Sequence, residues 1–190
     1  PTPTIGGVGL VTDYKKIITM DLKNINNLIL VVGKTEGHIE QSIFARNILN
    51  EKKGPPPEIN LFNEKNNGET ILKLINEKLI KSTHDVSLGG IITAVSKMAI
   101  KGKKGFKLIK PKVLTSKFHY YFGEDQGRYI IEIEPNNLSK VQKILKENSV
   151  HYDEIGIVTK NEVIVDKEPI LHIDDLTKSN KTWLIDYMSK

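Results

Sequence analysis

Apolar residues recur three and four positions apart in several stretches of the chain, which is the spacing of one buried helix face. The pattern predicts helices over 38–49, 71–80, 91–100 and 138–145. The pair Asp174-Asp175 announces a further helix near the end of the chain, because acidic residues favour the first helical turn. The residues expected to be buried on that helix are Leu176, Trp183, Leu184 and Tyr187.

Short apolar runs predict the strands. The clearest are 28–32 and 129–133, and a glycine-rich run over 5–11 is expected to form a bent strand. Runs at 155–158 and 163–165 are expected to pair as a hairpin, whereas the aromatic cluster at 118–122 fits a helix or a strand.

The irregular alternation of these elements predicts one domain over residues 1–190. Its expected class is α/β, with α+β as the alternative, built as a single mixed sheet with helices packed mainly on one face.

Composition narrows the function. The chain contains no cysteine, and no apolar run approaches the roughly 20 residues of a membrane span, so we expect no membrane association and a cytoplasmic location. The net charge of +5 comes almost wholly from lysine, since Arg46 and Arg128 are the two arginines. Base-edge readers favour arginine, and nucleic-acid binding is therefore not expected.

The stretch from His84 to Gly90 carries the first candidate chemistry. Ser87, Gly89 and Gly90 stand at the start of the helix predicted from residue 91, where free N–H groups and the helix dipole favour phosphate. The alternative is a tight turn in which Asp85 or Ser87 only caps the helix. His84 beside Asp85 resembles an acid–base pair, but neighbours on a strand point to opposite faces, which favours a structural role.

A second polar constellation lies at 124–128. Glu124, Asp125, Gln126 and Arg128 are suited to grip a polar ligand, since arginine matches phosphate geometry. The alternative is a charged loop in which Arg128 pairs with its own acidic neighbours. Asp85, Glu124 and Asp125 are candidate Mg²⁺ ligands, because Mg²⁺ needs only one or two carboxylates beside phosphate oxygens.

Three stretches together, residues 1–10, 84–90 and 122–128, resemble in order and spacing the last domain of phosphoribosylformylglycinamidine synthases, within the aminoimidazole ribonucleotide synthetase superfamily. The resemblance covers essentially the whole chain, including Gly156 and the terminal helix with Trp183. It implies that the chain is a fragment, opening where an upstream ATP-binding domain ends.

The resemblance implies an activity for the parent enzyme, which is a ligase of purine biosynthesis. ATP, with Mg²⁺, phosphorylates the amide oxygen of formylglycinamide ribonucleotide, and ammonia derived from glutamine displaces the phosphate. The implied partners are the upstream domains of the same polypeptide, a separate glutaminase subunit and a small bridging subunit. The chain alone is expected to be inactive.

The resemblance also implies site residues. Asp85 matches a magnesium-holding acid of the family's first half, whereas Glu124, Asp125 and Gln126 match a motif that contacts substrate. This chain resembles the second-half copy, whose cleft is degenerate or auxiliary, and Leu88 stands where an acid is usual. The competing hypotheses are a free-standing phosphate- or nucleotide-binding module and a purely structural scaffold.

Overall fold

A computed structural model describes residues 6–11, 13–112 and 116–189. Within them seven strands form one sheet in the order β2-β4-β1-β5-β3-β6-β7. The strands are β1 (Leu28–Val32), β2 (Ser82–Val86), β3 (Gly105–Leu108), β4 (Arg128–Ile133), β5 (Tyr152–Thr159), β6 (Glu162–Val165) and β7 (Glu168–His172). All neighbouring strands are antiparallel except β3 and β6. The predicted single mixed sheet is confirmed, and its largely antiparallel pairing corresponds to α+β.

The described helices cover both faces of this sheet. They are α1 (Ile43–Asn47), α2 (Leu61–Asn76), α3 (Gly90–Gly102), α4 (Lys117–Phe122), α5 (Leu138–Glu147) and α6 (Ile173–Met188), with 3-10 turns at Tyr14–Lys16 and Pro135–Asn137. No helix in the described ranges is long and apolar enough to cross a membrane.

Alternation along β1 divides the core in two, because successive side chains of a strand point to opposite faces. Ile29 and Val31 pack with α3, α4 and the start of α6. Leu30 and Val32 pack with α2 and α5. More helices therefore lie on the α3 face, as expected, but the second face is covered as well.

The long periodic elements agree with their predictions. Strands β1 and β4 and helices α3 and α5 form where the pattern places them, whereas α2 begins ten residues earlier than predicted, at Leu61, and ends at Asn76 rather than at residue 80. The aromatic cluster forms the short helix α4, which the hydroxyl of Ser116 caps by accepting the His119 N–H.

The predicted hairpin between 155–158 and 163–165 is wrong. Strand β3, which the sequence pattern did not reveal, lies between β5 and β6 and pairs with both. The hairpin is instead formed by β6 and β7. Its turn residues Asp166 and Lys167 both have positive φ, at 52° and 75°, as in turns that match the twist of paired strands.

Two further predictions are corrected. Of the strand expected over 5–11, residue 5 lies outside the described ranges, and residues 6–11 form no strand and are exposed. Three glycines weaken strand pairing there and leave little side chain to pack. Of the helix expected over 38–49, only α1 forms, because Gln41 adopts a positive φ of 61° directly before the Ser42 cap.

Helix α6 forms as predicted, but most of the residues that were expected to be buried on it are exposed. Ile173 is buried and Leu176 half-buried, whereas Trp183, Leu184 and Tyr187 are exposed. The described part of the chain therefore covers the apolar face of α6 at its beginning and leaves the later part of that face largely exposed.

Candidate functional site

The two polar motifs meet at one end of the sheet. Strand β2 ends at Val86, which pairs with Arg128 at the start of the antiparallel β4. On the other side of β4, Val32 at the end of β1 pairs with Tyr129. The connections that leave these three strand ends therefore lie side by side.

The glycines at the start of α3 allow a close approach of backbones. Gly89 and Gly90 have φ of 82° and 70°, a region that side-chain-bearing residues avoid. A Cβ on Gly90 would lie 2.5 Å from the Tyr121 carbonyl oxygen and 2.7 Å from that of Gly123. Both glycines are buried, whereas Ser87 is exposed.

The side chain of Glu124 caps the start of α3. Its Oε1 accepts the backbone N–H of Gly89 at 2.8 Å and that of Ile43, the first residue of α1, at 2.9 Å. The backbone N–H of Glu124 in turn donates to the His38 carbonyl at 2.8 Å. The expectation that Asp85 or Ser87 caps this helix is thus wrong, because the cap comes from a distant loop.

Asp125 is engaged in the same way. Its carboxylate accepts the backbone N–H groups of Gly37 at 3.0 Å and His38 at 2.9 Å, and it lies 3.5 Å from the Arg128 guanidinium. The Nδ1 of His119 lies 3.0 Å from the Gly37 carbonyl. Segment 37–38 is therefore held from both sides by the motif and by α4.

Arg128 is only 1% exposed, and its guanidinium is directed inwards. It donates to the carbonyl oxygens of Gly123 at 2.7 Å and Asp125 at 3.1 Å, and to the Thr35 hydroxyl at 3.2 Å. Burial lowers the pKa of the guanidinium from its ordinary value, and the nearby carboxylate of Asp125 opposes that shift. The predicted pairing of Arg128 with an acidic neighbour is present.

His84 and Asp85 contact each other directly. The His84 Nδ1 lies 2.9 Å from the Asp85 Oδ1, so the argument that adjacent strand residues must point apart does not hold at this strand end. The Asp85 side chain is 64% exposed. Among the described residues no group of three or more His, Asp or Glu side chains is placed to hold a metal ion.

A cavity of about 1010 Å³ opens beside the second motif. Its walls are the segment after β1, the proline-rich loop 55–59, the start of α2, and Asp125, Gln126 and Gly127. The exposed Gln126 faces it, whereas Asp85, Ser87 and Gly89 are not part of its lining.

Sequence reasoning missed several residues of this cavity. Lys34, Asn63 and Asn67 contribute to its walls, and the Asn67 side-chain amide donates to the Gly127 carbonyl at 2.9 Å. A usable signal in the sequence is the Gly54-Pro55-Pro56-Pro57 loop, which precedes the asparagine-rich start of α2.

Comparison with known proteins identifies relatives for the whole chain. The family model described as "AIR synthase related protein, C-terminal domain" matches residues 24–167. A phosphoribosylformylglycinamidine synthase subunit PurL from Pelagibacter ubique is 66% identical over 99% of this chain and 26% of the relative. The corresponding subunit of Bartonella henselae is 37% identical over 100% of this chain and 26% of its own length. The chain thus spans about a quarter of these relatives.

Solved structures share the fold at low identity. The Thermotoga maritima PurL complexed with FGAR superposes with a TM-score of 0.71 at 17% identity, covering 86% of this chain and 30% of that one. A thiamine-monophosphate kinase from Stenotrophomonas maltophilia reaches a TM-score of 0.57 at 13% identity, covering 80% and 54%. These structures support the architecture of the sheet and its helices.

Proposed function

Because the chain belongs to the AIR synthase related family, as a C-terminal domain of that type, we propose that it serves a phosphoribosylformylglycinamidine synthase. The parent enzyme would be a C–N ligase of purine biosynthesis, acting in the cytoplasm. It would convert formylglycinamide ribonucleotide to the amidine with ATP and ammonia derived from glutamine. The observation that carries this proposal is 66% identity to the Pelagibacter ubique subunit along nearly the whole chain.

Within that enzyme the chain is proposed to be the second-half C-terminal domain. Leu88, where the family pattern has an acid, and the internally bonded Glu124 and Asp125 fit an auxiliary cleft better than a catalytic one. The isolated chain is expected to have no synthase activity, since the catalytic groups would lie in other domains.

The exposed residues are the candidates for ligand contact. Ser87 and Gln126 reach solvent from the two motifs, whereas Glu124, Asp125 and Arg128 would hold the loops that carry them. ATP would supply the phosphoryl group that activates the amide oxygen. Asp85 alone does not form a magnesium site, so a Mg²⁺ ion there would take its other ligands from phosphate and water.

The proposed partners follow the same reasoning. A chain that spans a quarter of its relatives would pack against the remaining domains of one polypeptide. A separate glutaminase subunit and a small bridging subunit would deliver ammonia. The name of the solved Thermotoga maritima PurLQS structure, which shares 18% identity with this chain, is consistent with such an assembly.

A chimaera tests this function directly. The matching quarter of the Pelagibacter ubique protein is exchanged for this chain, and ammonia-dependent ADP formation is measured with formylglycinamide ribonucleotide. We expect the chimaera to be active and the same protein lacking that quarter to be inactive. A folded chimaera without activity would contradict the proposal.

The second candidate function is a scaffold without a ligand, and one observation favours it. The charged residues Glu124, Asp125 and Arg128 are all bonded within the chain. Calorimetry with ATP, ADP and ribose 5-phosphate distinguishes it from a phosphate- or nucleotide-binding module. Heat that saturates at millimolar ligand would support the binding module, and its absence would support the scaffold.

A further inference from the structure

One oxygen atom joins the beginnings of two helices. Oε1 of Glu124 accepts the N–H of Gly89 at 2.8 Å and the N–H of Ile43 at 2.9 Å. These backbone groups come from residues 46 positions apart in the chain, and the acceptor comes from a third segment. Two donors that converge on one oxygen resemble the way in which a protein binds an anion.

The start of α3 would otherwise suit a phosphate. Its first N–H groups have no partner within the helix, and the dipole of this 13-residue helix favours negative charge there. A phosphate bound to the Gly89 N–H would lie beside the Glu124 carboxylate that already accepts this N–H. Two negative charges so close to each other repel. The carbonyl oxygens of Tyr121 and Gly123 lie close to Gly90 and add partial negative charge.

We propose that the Glu124 carboxylate is a built-in anion that closes the start of α3 to phosphate. Glu124 is then a positioning residue, because it ties the 123–127 loop to α1 and α3 and so places Gln126 at the cavity. Any phosphate that binds this domain must bind away from Gly89. The proposal does not depend on the parent enzyme's activity, so failure of the chimaera leaves it untouched.

Removal of the carboxylate should create the site that it fills. We compare Glu124→Ala with the unsubstituted chain and with Glu134→Ala, which removes an exposed carboxylate paired with Lys81. Melting temperatures are measured in sodium acetate, sodium phosphate and sodium chloride of equal ionic strength. Loss of the helix cap should lower the melting temperature of Glu124→Ala by about 4 °C.

The decisive comparison is between anions. Acetate or phosphate at about 200 mM should raise the melting temperature of Glu124→Ala by about 2 °C more than that of either other protein, relative to chloride. An equal rise in all three proteins would be a general salt effect and would overturn the proposal.

A second measurement covers the case in which Glu124→Ala does not fold. In Glu124→Gln the amide oxygen can still accept both N–H groups, but it does not ionise. During acid titration the amide resonances of Gly89 and Ile43 should move together in the unsubstituted chain and stay in place in Glu124→Gln. Equal movement in both proteins, or saturable movement of these resonances with inorganic phosphate in the unsubstituted chain, would overturn the proposal.

Discussion

The side-chain amide of Asn27 donates to the Glu132 carboxylate at 2.7 Å inside the protein. Glu132 lies on β4 with 0% exposure, and it also accepts from the backbone N–H groups of Lys23 and Asn24 and from the Ser82 hydroxyl. Four donors thus surround one buried charge, which would otherwise be too costly to place there. This carboxylate joins the segment before β1 to the strands β2 and β4.

Glu132→Gln should therefore be strongly destabilising. The glutamine side chain has an NH₂ group where the carboxylate has an oxygen, and this group would face the hydrogen-bond donors that surround Glu132. We therefore expect the free energy of unfolding to fall by about 2–4 kcal/mol. Urea denaturation measures it, with Glu134→Gln as the matched surface control. That control loses only an exposed ion pair with Lys81, and its change should stay below about 1 kcal/mol. Equal losses in the two variants would contradict this role of Glu132.

The two arginines of the chain should respond differently to lysine. Arg128→Lys replaces a buried planar group that bonds Gly123, Asp125 and Thr35 and should cost about 2–4 kcal/mol of unfolding free energy. Arg46→Lys changes an exposed residue and should stay within about 0.5 kcal/mol. A mild Arg128→Lys variant would show that its inward hydrogen bonds contribute little.

Alanine substitutions at two glycines should change the free energy of unfolding in opposite directions. A Cβ on Gly156 would collide with the Lys107 carbonyl oxygen where β5 passes β3, so Gly156→Ala should cost about 3 kcal/mol or more. Gly68 lies within α2, and its nearest neighbour would be the Tyr129 hydroxyl at 3.4 Å. Gly68→Ala should therefore stabilise by about 0.5–1 kcal/mol. Thermal and urea unfolding of both variants measures these changes, and a stable Gly156→Ala would contradict the close strand contact.

The ionised carboxylate of Asp21 should stabilise the folded chain, and acid should remove this stabilisation by protonating it. Hydrogen bonds from Lys23 and Thr19 lower its pKa from 3.8 to about 2. Because the folded-state pKa is the lower one, the contribution is complete above pH 3.8 and disappears as the pH falls through about 2. The stability difference between the unsubstituted chain and Asp21→Asn should accordingly shrink over that window. A double-variant cycle with Lys23→Met isolates the pair, and a coupling that does not change with pH would contradict it.

Trp183 is the single tryptophan and reports on α6. Its side chain is 58% exposed, so its emission in this chain should resemble that of indole in water and change little on unfolding. Acrylamide should quench it efficiently in the folded chain. A blue-shifted, protected emission would mean that the apolar face of α6 is covered.

The fold could be predicted where local pattern decides structure. Helices α2, α3 and α5 each bury one regular face, which periodicity detects, and β1 is a short continuous apolar run that is buried on both faces. Strand β3 was missed because its four residues include a lysine and a glycine, and its place between β5 and β6 depends on contacts distant in sequence.

The site could be predicted only in part, for the same physical reason. The sequence pointed to residues 84–90 and 124–128, and the sheet does bring these motifs to one end. That Glu124 would bond Gly89 and Ile43 required knowing how three loops fold together. The residue type determines which groups a carboxylate or a guanidinium can bind, whereas its actual hydrogen-bond partners depend on the tertiary structure.

The 124–128 motif is the structural link that holds neighbouring loops through Glu124 and Asp125. Native-state hydrogen exchange tests it most directly at the amides that donate to these two carboxylates, which belong to Gly37, His38, Ile43 and Gly89. We predict that all four are protected although they lie in loops or at helix starts. Asp125→Ala should release the first two, and Glu124→Ala the last two. Fast exchange of these amides in the unsubstituted chain would contradict this role of the motif.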